Sequence, residues 1–463
     1  MKNALNPYLP SYEYIPDGEP YVFGDRVYIF GSHDYFNGCV FCLGDYVCWS
    51  APVDDLGDWR YEGVIYPKTR DPLNQDGKAV LYAPDVTVGP DGRYYLYYCL
   101  DKFSVVSVAV CDTPAGNYEF YGYVHYEDGT RLGDRVGDSH QFDPGVLTEG
   151  NRTYLYTGFC WPDDASVKGS MCVTLGADML TVIEEAVCVV PGGYCARGTG
   201  FEGHSFFEAS SIRKIKDTYY FIYSSEVMHE LCYATSKNPR EGFQYGGVIV
   251  SNVDKHIDTY KPAEMIVAGI GNNHGSIVQI KDEWYIFYHR QTNGTWYSRQ
   301  GCAEAIEIMK DGSIPQVEMS SCGLNHGPLP AKGEYFGYLA CNLFQADMKG
   351  TISTNMPYIT QDGRDGDQEP GYIKNFTDGT IAGFKYFEFH DVHKITLKVR
   401  AYAEGTFEVR THWDGSAYAK IPIHNTNIWE EYSSEISIPD GVHAIYIAYL
   451  GSGSPQLLSF TLE

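Results

Sequence analysis

Five similar segments of the chain each begin with a residue that is able to donate or accept a proton. Each segment continues through a short apolar stretch and a polar turn and ends in a tyrosine-rich run. The five leading residues are Asp17, Asp85, Asp143, Glu208 and His274. Carboxylates and imidazoles are common general acids and bases. Gathering them in one place costs electrostatic free energy, so a cluster of this kind is usually kept for function.

The interval between the segments predicts the architecture that positions these residues. The leading residues lie 58 to 68 positions apart, and each unit continues with two more strand-like runs. Four short strands repeated five times are typical of a five-bladed β-propeller. The innermost strands of the blades surround one axis, so we expect their end residues to meet at one mouth of the channel. For any single acid, the alternative is a hydrogen-bonding role in a turn between blades.

The five-fold pattern stops after about residue 325. Clean alternation of apolar and polar residues follows, which is typical of antiparallel strands with one buried face. The alternating runs are Ile395–Arg400, Thr406–Trp413, Ala444–Tyr449 and Leu458–Leu462. We therefore predict an all-β chain, with a five-bladed propeller at 1–322, a linker at 323–334 and a jelly-roll-like β-sandwich at 335–463.

Composition excludes several classes of partner. The 463 residues include 34 Lys and Arg against 60 Asp and Glu, for a net charge of −26. This charge argues against nucleic acid and anionic membranes, because both require a basic surface. The chain lacks an apolar run near 18 residues and an apolar signal segment after Met1. The 13 cysteines are odd in number and scattered, as in proteins with free thiols, so we predict a cytoplasmic location.

Carboxylates that share a pocket suit the hydrolysis of glycosidic bonds. One carboxyl group, protonated, donates to the leaving oxygen, and the other acts as base or nucleophile. A third carboxylate nearby raises the pKa of the acid, so a trio is more informative than a pair. The alternative from another class is a non-catalytic sugar-binding propeller, but such a protein has no use for three converging acids.

Three motifs make residues 6–320 resemble glycoside hydrolase family 43, which includes inverting β-xylosidases, α-L-arabinofuranosidases and arabinanases. In chain order they are Ile15-Pro16-Asp17-Gly18, Tyr82-Ala83-Pro84-Asp85 and Phe206-Phe207-Glu208-Ala209. The resemblance implies Asp17 as general base, Asp85 as the residue that raises the pKa of the acid, and Glu208 as that acid. It also implies that Asp143 is structural. For inversion, the base and acid carboxyls lie about 6.5–9.5 Å apart. Tyr82 stands where the family has Trp, which alters pocket packing.

The resemblance also implies ligand contacts. His274 lies in an Asn-His-Gly-Ser segment similar to a family motif beside a hydrated calcium ion; the alternative is a channel histidine bonded to water or a carboxylate. Arg299 matches an arginine that contacts the sugar; the alternatives are charge compensation by Arg299, and Arg290 as a nearby competitor. We expect His33 and Asp34 to line the pocket, and we expect no organic cofactor.

The implied substrate is an oligosaccharide or polysaccharide of plant hemicellulose, from which the enzyme removes xylose or arabinofuranose. A five-bladed glycosidase acting on galactan or fructan is the alternative within the same class. The C-terminal part resembles a family 6 carbohydrate-binding module, but Leu339-Ala340-Cys341 stands in place of the usual opening Glu-Ala-Glu. A structural domain that supports the catalytic one is the alternative for this part. The sequence leaves the choice of pentose and the oligomeric state open.

Overall fold

The computed structural model describes residues 4–345 and 348–463. Regular structure in these residues is almost entirely β. Four short 3₁₀ turns interrupt it, at Lys68–Arg70, Pro72–Asn74, Gly193–Cys195 and Gly337–Leu339.

Five antiparallel sheets follow one another along the first part of the chain, and within each sheet the spatial order of strands equals their chain order. Blade one contains β1 (Glu19–Phe23), β2 (Arg26–Phe30), β3 (Tyr46–Pro52) and β4 (Arg60–Tyr66). Blade two contains β5 (Asp85–Val88), β6 (Tyr94–Cys99), β7 (Val106–Cys111) and β8 (Glu119–Tyr123). Blade three contains β9 (Gly145–Glu149), β10 (Arg152–Thr157), β11 (Gly169–Leu175) and β12 (Val182–Pro191). Blade four contains β13 (Phe206–Ile215), β14 (Thr218–Ser225), β15 (Glu230–Ser236) and β16 (Gln244–Ser251). Blade five contains β17 (Ile277–Ile280), β18 (Glu283–Gln291) and β19 (Arg299–Ile306).

The predicted five-bladed propeller is confirmed. The first strand of each blade is the inner one, because β1 adjoins β17 and β9 adjoins both β5 and β13. A parallel bridge between Gly18 and Gly275 joins blades one and five at the channel. Tyrosine and β-branched residues fill the space between blades, as their preference for pleated, half-buried surfaces predicts.

Blade five departs from the predicted four strands, because its sheet has three strands in the part of the chain that the structure describes. The N-terminal segment lies along β19 instead. Tyr8 donates its N–H to the Gly301 oxygen at 3.2 Å, and the Asn6 side chain bonds both backbone groups of Ala303. Pro7 and Pro10 have no N–H to donate, so this segment cannot complete a β-ladder.

The C-terminal part is a sandwich of two six-stranded sheets, as predicted. One sheet contains β20 (Leu329–Pro330), β22 (Asn342–Gln345), β25 (Thr380–Phe389), β27 (Ala403–Arg410), β28 (Ala419–Ile423) and β30 (Gly441–Gly453). The other contains β21 (Gly333–Phe336), β23 (Tyr358–Thr360), β24 (Tyr372–Lys374), β26 (Lys394–Arg400), β29 (Glu430–Glu435) and β31 (Gln456–Leu462). The segment predicted as a linker, 323–334, contains β20 and the start of β21, which pair with β25 and β31.

One of the buried apolar clusters spans the propeller and the sandwich. Ile222 and Ile286 of the propeller belong to the same buried cluster as Phe344, Ile381 and Tyr446 of the sandwich. A continuous apolar interface of this kind holds the two parts in a fixed relation.

All thirteen cysteines are free thiols. Within residues 4–345 and 348–463, no helix is long and apolar enough to cross a membrane. The predicted cytoplasmic location stays a prediction.

Candidate active site

A cavity of about 650 Å³ opens at one mouth of the propeller channel. Its size falls in the range of small-molecule sites. The charged groups in its lining include Asp17, Asp143, Glu208, His274 and Arg299. Aromatic side chains supply the walls, namely Phe41, Tyr82, Phe142, Phe159, Trp161, Phe207, Trp296 and Tyr297. Charged groups at the base of an aromatic pocket provide both proton transfer and apolar faces for a sugar ring.

Local backbone geometry turns three of the acids that line the cavity toward its mouth. Asp17 and Asp143 each lie two residues before an inner strand and adopt φ values of 57° and 43°. Glu208 lies inside β13 at an irregularity in the pairing with β14, and the next residue, Ala209, has a φ of 68°. Left-handed backbone is uncommon for residues other than glycine and often marks functional positions.

Asp17 is held as a carboxylate. Arg299 donates from Nη1 to Asp17 Oδ1 at 2.9 Å. Burial by itself would raise the pKa of Asp17, but the Arg299 guanidinium and the imidazoles of His289 and His274 hold that pKa well below its ordinary value. A buried acid that stays ionised is ready to accept a proton, as a general base must.

Glu208 has the opposite protonation. Its side chain is buried, and burial together with the negative charges of Asp143 and Asp17 raises the pKa of Glu208 to about 8, against the opposing effect of His274. Glu208 is therefore mainly protonated at neutral pH, as a general acid must be. Two carboxyl groups in one cavity thus carry different protonation states, which is how paired acids divide their roles.

Asp143 and His274 form a pair between these two groups. The Nδ1 atom of His274 lies 3.5 Å from Asp143 Oδ2 and 3.8 Å from Asp17 Oδ1. Burial would lower the pKa of His274, but the two carboxylates raise it to about 9. Burial raises the pKa of Asp143, and His274 partly offsets that effect. The prediction that Asp143 is only structural was wrong, because its side chain lines the cavity.

Asp85 lies outside the cavity lining, and its predicted place beside Glu208 was wrong. Its Oδ2 accepts from the Val146 N–H at 2.7 Å, and its Oδ1 accepts from the Tyr21 hydroxyl at 2.6 Å. Burial, followed by the charge of Glu19, raises the pKa of Asp85 to about 8, and Arg213 partly offsets this rise. Asp85 thus belongs to a second group of charges, deeper in the channel.

The position of each acid relative to the start of its inner strand explains why Asp85 lies outside the cavity while Asp17 and Asp143 line it. Asp85 is the first residue of β5, as Glu19 is of β1. The position two residues before a strand, where blades one and three have Asp17 and Asp143, is Ala83 in blade two, and Ala83 lines the cavity. Two residues along a strand advance the chain by ~6.6 Å, which moves a carboxylate from the cavity into the channel.

Arg299 joins the cavity to Asp34, one of the two residues predicted from blade one. Its Nε and Nη2 donate to the two oxygens of Asp34 at 2.8 and 3.0 Å, a bidentate pair that fixes the guanidinium plane. Neither His33 nor Asp34 lines the cavity. His33 Nε2 lies 3.0 Å from Glu13 Oε1. Asp34 thus acts on the cavity through Arg299, and the prediction that both residues line the pocket was wrong.

Arg290 has a different role from Arg299. Its Nη1 donates to the carbonyls of Ala340 and Cys341 at 3.0 and 3.2 Å, so it binds the propeller to the sandwich. It is therefore not a competitor for the sugar.

Sequence reasoning missed several residues of the site. His289 Nδ1 lies 3.2 Å from Asp17 Oδ1, and Asn272 lines the cavity. A signal for the aromatic walls was available, since Phe142 and Phe207 directly precede Asp143 and Glu208. The position of His289 beside Asp17, 272 residues away, carries no comparable local signal.

One group of donors in the described residues is compact enough to hold a metal ion, and it lies away from the cavity. It consists of His204, Glu230 and Cys232 in blade four. Glu230 Oε1 already lies 2.6 Å from His204 Nδ1 and accepts from the Ser225 hydroxyl at 2.6 Å. These two contacts satisfy Oε1, whereas Oε2 of Glu230 is buried without a hydrogen-bond partner.

Comparison with known proteins agrees with this geometry. A family model described as glycosyl hydrolases family 43 matches residues 13–314. A xylosidase/arabinosidase of Thermoclostridium stercorarium is 67% identical over 468 residues, covering 100% of this chain and 99% of that protein.

Solved structures show the same architecture. A family 43 arabinoxylan arabinofuranohydrolase from Bacillus subtilis, in complex with cellotetraose, aligns over 99% of this chain and 97% of its own, with a TM-score of 0.55 and 21% identity, and so supports the fold. A family 43 β-xylosidase/α-arabinofuranosidase from a compost metagenome, solved with xylotriose in a calcium-free form, covers 69% of this chain and 98% of its own, with a TM-score of 0.53 and 25% identity. Together with the opposed protonation of Asp17 and Glu208, the family match establishes that this chain belongs to glycoside hydrolase family 43.

Proposed function

We propose that this glycosidase removes xylose or arabinofuranose from hemicellulose oligosaccharides with inversion at the anomeric carbon. The observation that carries the proposal is one cavity holding Asp17 as a carboxylate and Glu208 as a carboxylic acid. The names of the similar proteins, xylosidase/arabinosidase and arabinoxylan arabinofuranohydrolase, support the choice of pentose.

The chemistry follows from these two protonation states. Asp17 accepts a proton from a water molecule while the water oxygen bonds to the anomeric carbon. In the same step the bond to the leaving oxygen breaks, and Glu208 gives that oxygen its proton. Attack from the face opposite the leaving group inverts the configuration, and it requires about 6.5–9.5 Å between the two carboxyls so that water fits.

We assign to Asp143 the role that the resemblance implied for Asp85. The negative charge of Asp143 is the largest contribution after burial to the raised pKa of Glu208. Asp85 bonds instead to Tyr21 and Val146 and does not line the cavity. A group that tunes the acid must lie close to it, because Coulomb interactions weaken with distance and screening.

The residues around His274 do not fit a calcium site. A hard cation requires six to eight oxygen ligands, and His274 offers nitrogen. Its Nδ1 faces Asp143 and Asp17, and its raised pKa makes it a cation that forms ion pairs with these carboxylates. Arg299 supplies further positive charge at Asp17. Calcium beside His274 stays a prediction from the resemblance, and the mechanism above uses no metal ion.

Substitution of Glu208 tests the proposal most directly. Glu208→Ala should lower kcat on xylo- and arabino-oligosaccharides by ~10³-fold or more, because the leaving sugar oxygen then receives no proton. The loss should be smaller on a nitrophenyl pentoside, since nitrophenolate leaves without a proton. Proton NMR of the first product formed by the wild type should show the inverted anomer. A retained anomer, or wild-type turnover of oligosaccharides by Glu208→Ala, would contradict the assignment.

A further inference from the structure

Contacts from the sandwich reach two propeller loops that build the active-site wall. One loop, residues 31–45 between β2 and β3, carries Asp34, Phe41 and Cys42. The other, residues 292–298 between β18 and β19, carries Trp296 and Tyr297 and leads directly into Arg299. Phe41, Cys42, Trp296 and Tyr297 line the cavity. The placement of both loops therefore shapes the site.

The sandwich contacts the first residues of the loop between β18 and β19. Ile359 of β23 donates its N–H to the Thr292 carbonyl at 2.8 Å. The ring of Tyr358 packs against Gly294, so closely that a Cβ on that glycine would lie 3.1 Å from the Tyr358 Cγ. Gly294 also has a φ of 62°, a conformation that side chains other than glycine rarely adopt.

The loop between β2 and β3 is held at a single point. Asp365, in the sandwich loop that follows β23, accepts the Phe36 N–H at its Oδ1 at 2.6 Å. A hydrogen bond to a charged group contributes about 1.5–3 kcal/mol when well formed. The ring of Phe36 stacks on Tyr14, whose carbonyl accepts the Asp34 N–H at 2.9 Å. Asp365 is thus linked, through Phe36 and Tyr14, to the aspartate that orients Arg299.

The two loops also bind each other. Asn293 donates from its side chain to the Asn37 side-chain oxygen at 2.8 Å, and the rings of Phe41 and Tyr297 meet edge to face at 4.8 Å. Contacts across the cavity rim therefore transmit the position of one loop to the other. Both loops lead to the same group of side chains, because Asp34 pairs with Arg299 and Arg299 donates to Asp17.

We infer that Tyr358, Ile359 and Asp365 of the sandwich form a rim clamp that positions the Asp34–Arg299–Asp17 array of the propeller. In this reading the sandwich is a part of the active-site scaffold, and its residues are positioning residues that do not touch substrate. The inference rests on the proposed function, because it assigns Asp17 as the base. Small displacements of catalytic groups are costly, since activity depends on geometry at the scale of an ångström.

Two substitutions at Asp365 separate positioning from general stability. Asp365→Ala removes the acceptor for the Phe36 N–H and should lower kcat on a nitrophenyl pentoside by about tenfold, a change of about 1.4 kcal/mol in the activation barrier, with a smaller change in KM. Asp365→Asn keeps an oxygen at Oδ1 and should restore most of kcat. Asp378→Ala is the matched control, because Asp378 likewise accepts a backbone N–H, that of Gly451, but within the sandwich.

Amide hydrogen exchange measures how firmly the same two loops are held, and it does not require turnover of a substrate. Asp365→Ala and Tyr358→Ala should each speed exchange in residues 31–45 or 292–298, while the urea midpoint of unfolding stays near that of Asp378→Ala. Unchanged exchange in both loops would overturn the inference, as would faster exchange with wild-type kcat. A kcat loss that Asp365→Asn does not restore would also overturn it. Absence of turnover by the wild type would instead refute the proposed function, and the exchange data would still decide whether the clamp holds the loops.

Discussion

At the scale of single residues, the proposed mechanism assigns control of the proton on Glu208 to the charge of Asp143. The pKa of Glu208 is about 8, so the acid loses its proton, and the enzyme its activity, as the pH rises through about 8. Asp143→Asn removes a negative charge that raises this pKa, so the basic limb of the kcat/KM profile should move to lower pH. A pH profile on one xylo- or arabino-oligosaccharide, whose leaving oxygen requires a proton, recorded from pH 5 to 10, measures the shift.

Asp85→Asn provides the comparison for that experiment. It makes the same substitution at a buried carboxyl that lies outside the cavity, so the basic limb should keep its wild-type position. A limb that moves with Asp85→Asn and stays with Asp143→Asn would restore the role that the sequence motif implied for Asp85.

Metal removal is a second test at this scale. Because protonated His274 and Arg299 already place positive charge beside Asp143 and Asp17, chelation of divalent ions should leave kcat and KM unchanged. The measurement is activity after dialysis against EDTA, with calcium added back to a matched sample. A loss that calcium restores would show that the channel binds the ion after all.

At the scale of elements, the inner strand of blade five depends on a glycine beside His274. A Cβ at Gly275 would lie 1.8 Å from the Phe287 carbonyl oxygen of β18, so Gly275→Ala must separate the segment before β17 from its partner strand. We expect a loss of about 2–3 kcal/mol in the free energy of unfolding, typical of overpacking, together with reduced kcat because His274 moves. Urea unfolding and initial rates measure the two effects.

Gly176→Ala is the control for this prediction. The nearest atom to a Cβ there is the Ile183 Cγ2 at 3.4 Å, an ordinary contact. This variant should therefore unfold within about 0.5 kcal/mol of the wild type, as most neutral surface substitutions do. Equal stability of the two alanine variants would show that the approach of Gly275 to β18 is not a constraint.

At the scale of the whole molecule, a buried lysine of the sandwich binds the propeller. Lys385 lies fully buried, with Nζ 3.3 Å from Asp254 Oδ2 and 2.8 Å from Glu318 Oε2. Lys385→Met keeps the volume but leaves the buried Asp254 without its ion-pair partner, so the free energy of unfolding should fall by about 3–5 kcal/mol. Denaturant unfolding followed by tryptophan fluorescence measures this loss.

Lys394→Met measures the corresponding loss in the free energy of unfolding for an ion pair at the surface. The Lys394 pair with Glu463 is half exposed at 2.8 Å, and exposed pairs contribute at most about 1 kcal/mol. If Lys385→Met costs no more than Lys394→Met, the contact between the propeller and the sandwich does not depend on this ion pair.

Local pattern was sufficient for the architecture and for two of the acids. Turn residues and tyrosine-rich strands at intervals of 58 to 68 positions predict five blades, because strand formation and chain reversal depend on neighbouring residues. Alternation in the C-terminal part predicts the sandwich for the same reason. Asp17 and Glu208 were located by short motifs, each of which is contained within a few neighbouring residues.

Tertiary structure alone decided which third acid reaches the cavity and what holds Arg299. A two-residue difference in register puts Asp85 in the channel and leaves the cavity to Asp143. Arg299 meets Asp34 across 265 positions, and Asp365 reaches Phe36 across 329. Such contacts depend on how blades and sandwich pack in space, and no short stretch of chain encodes them.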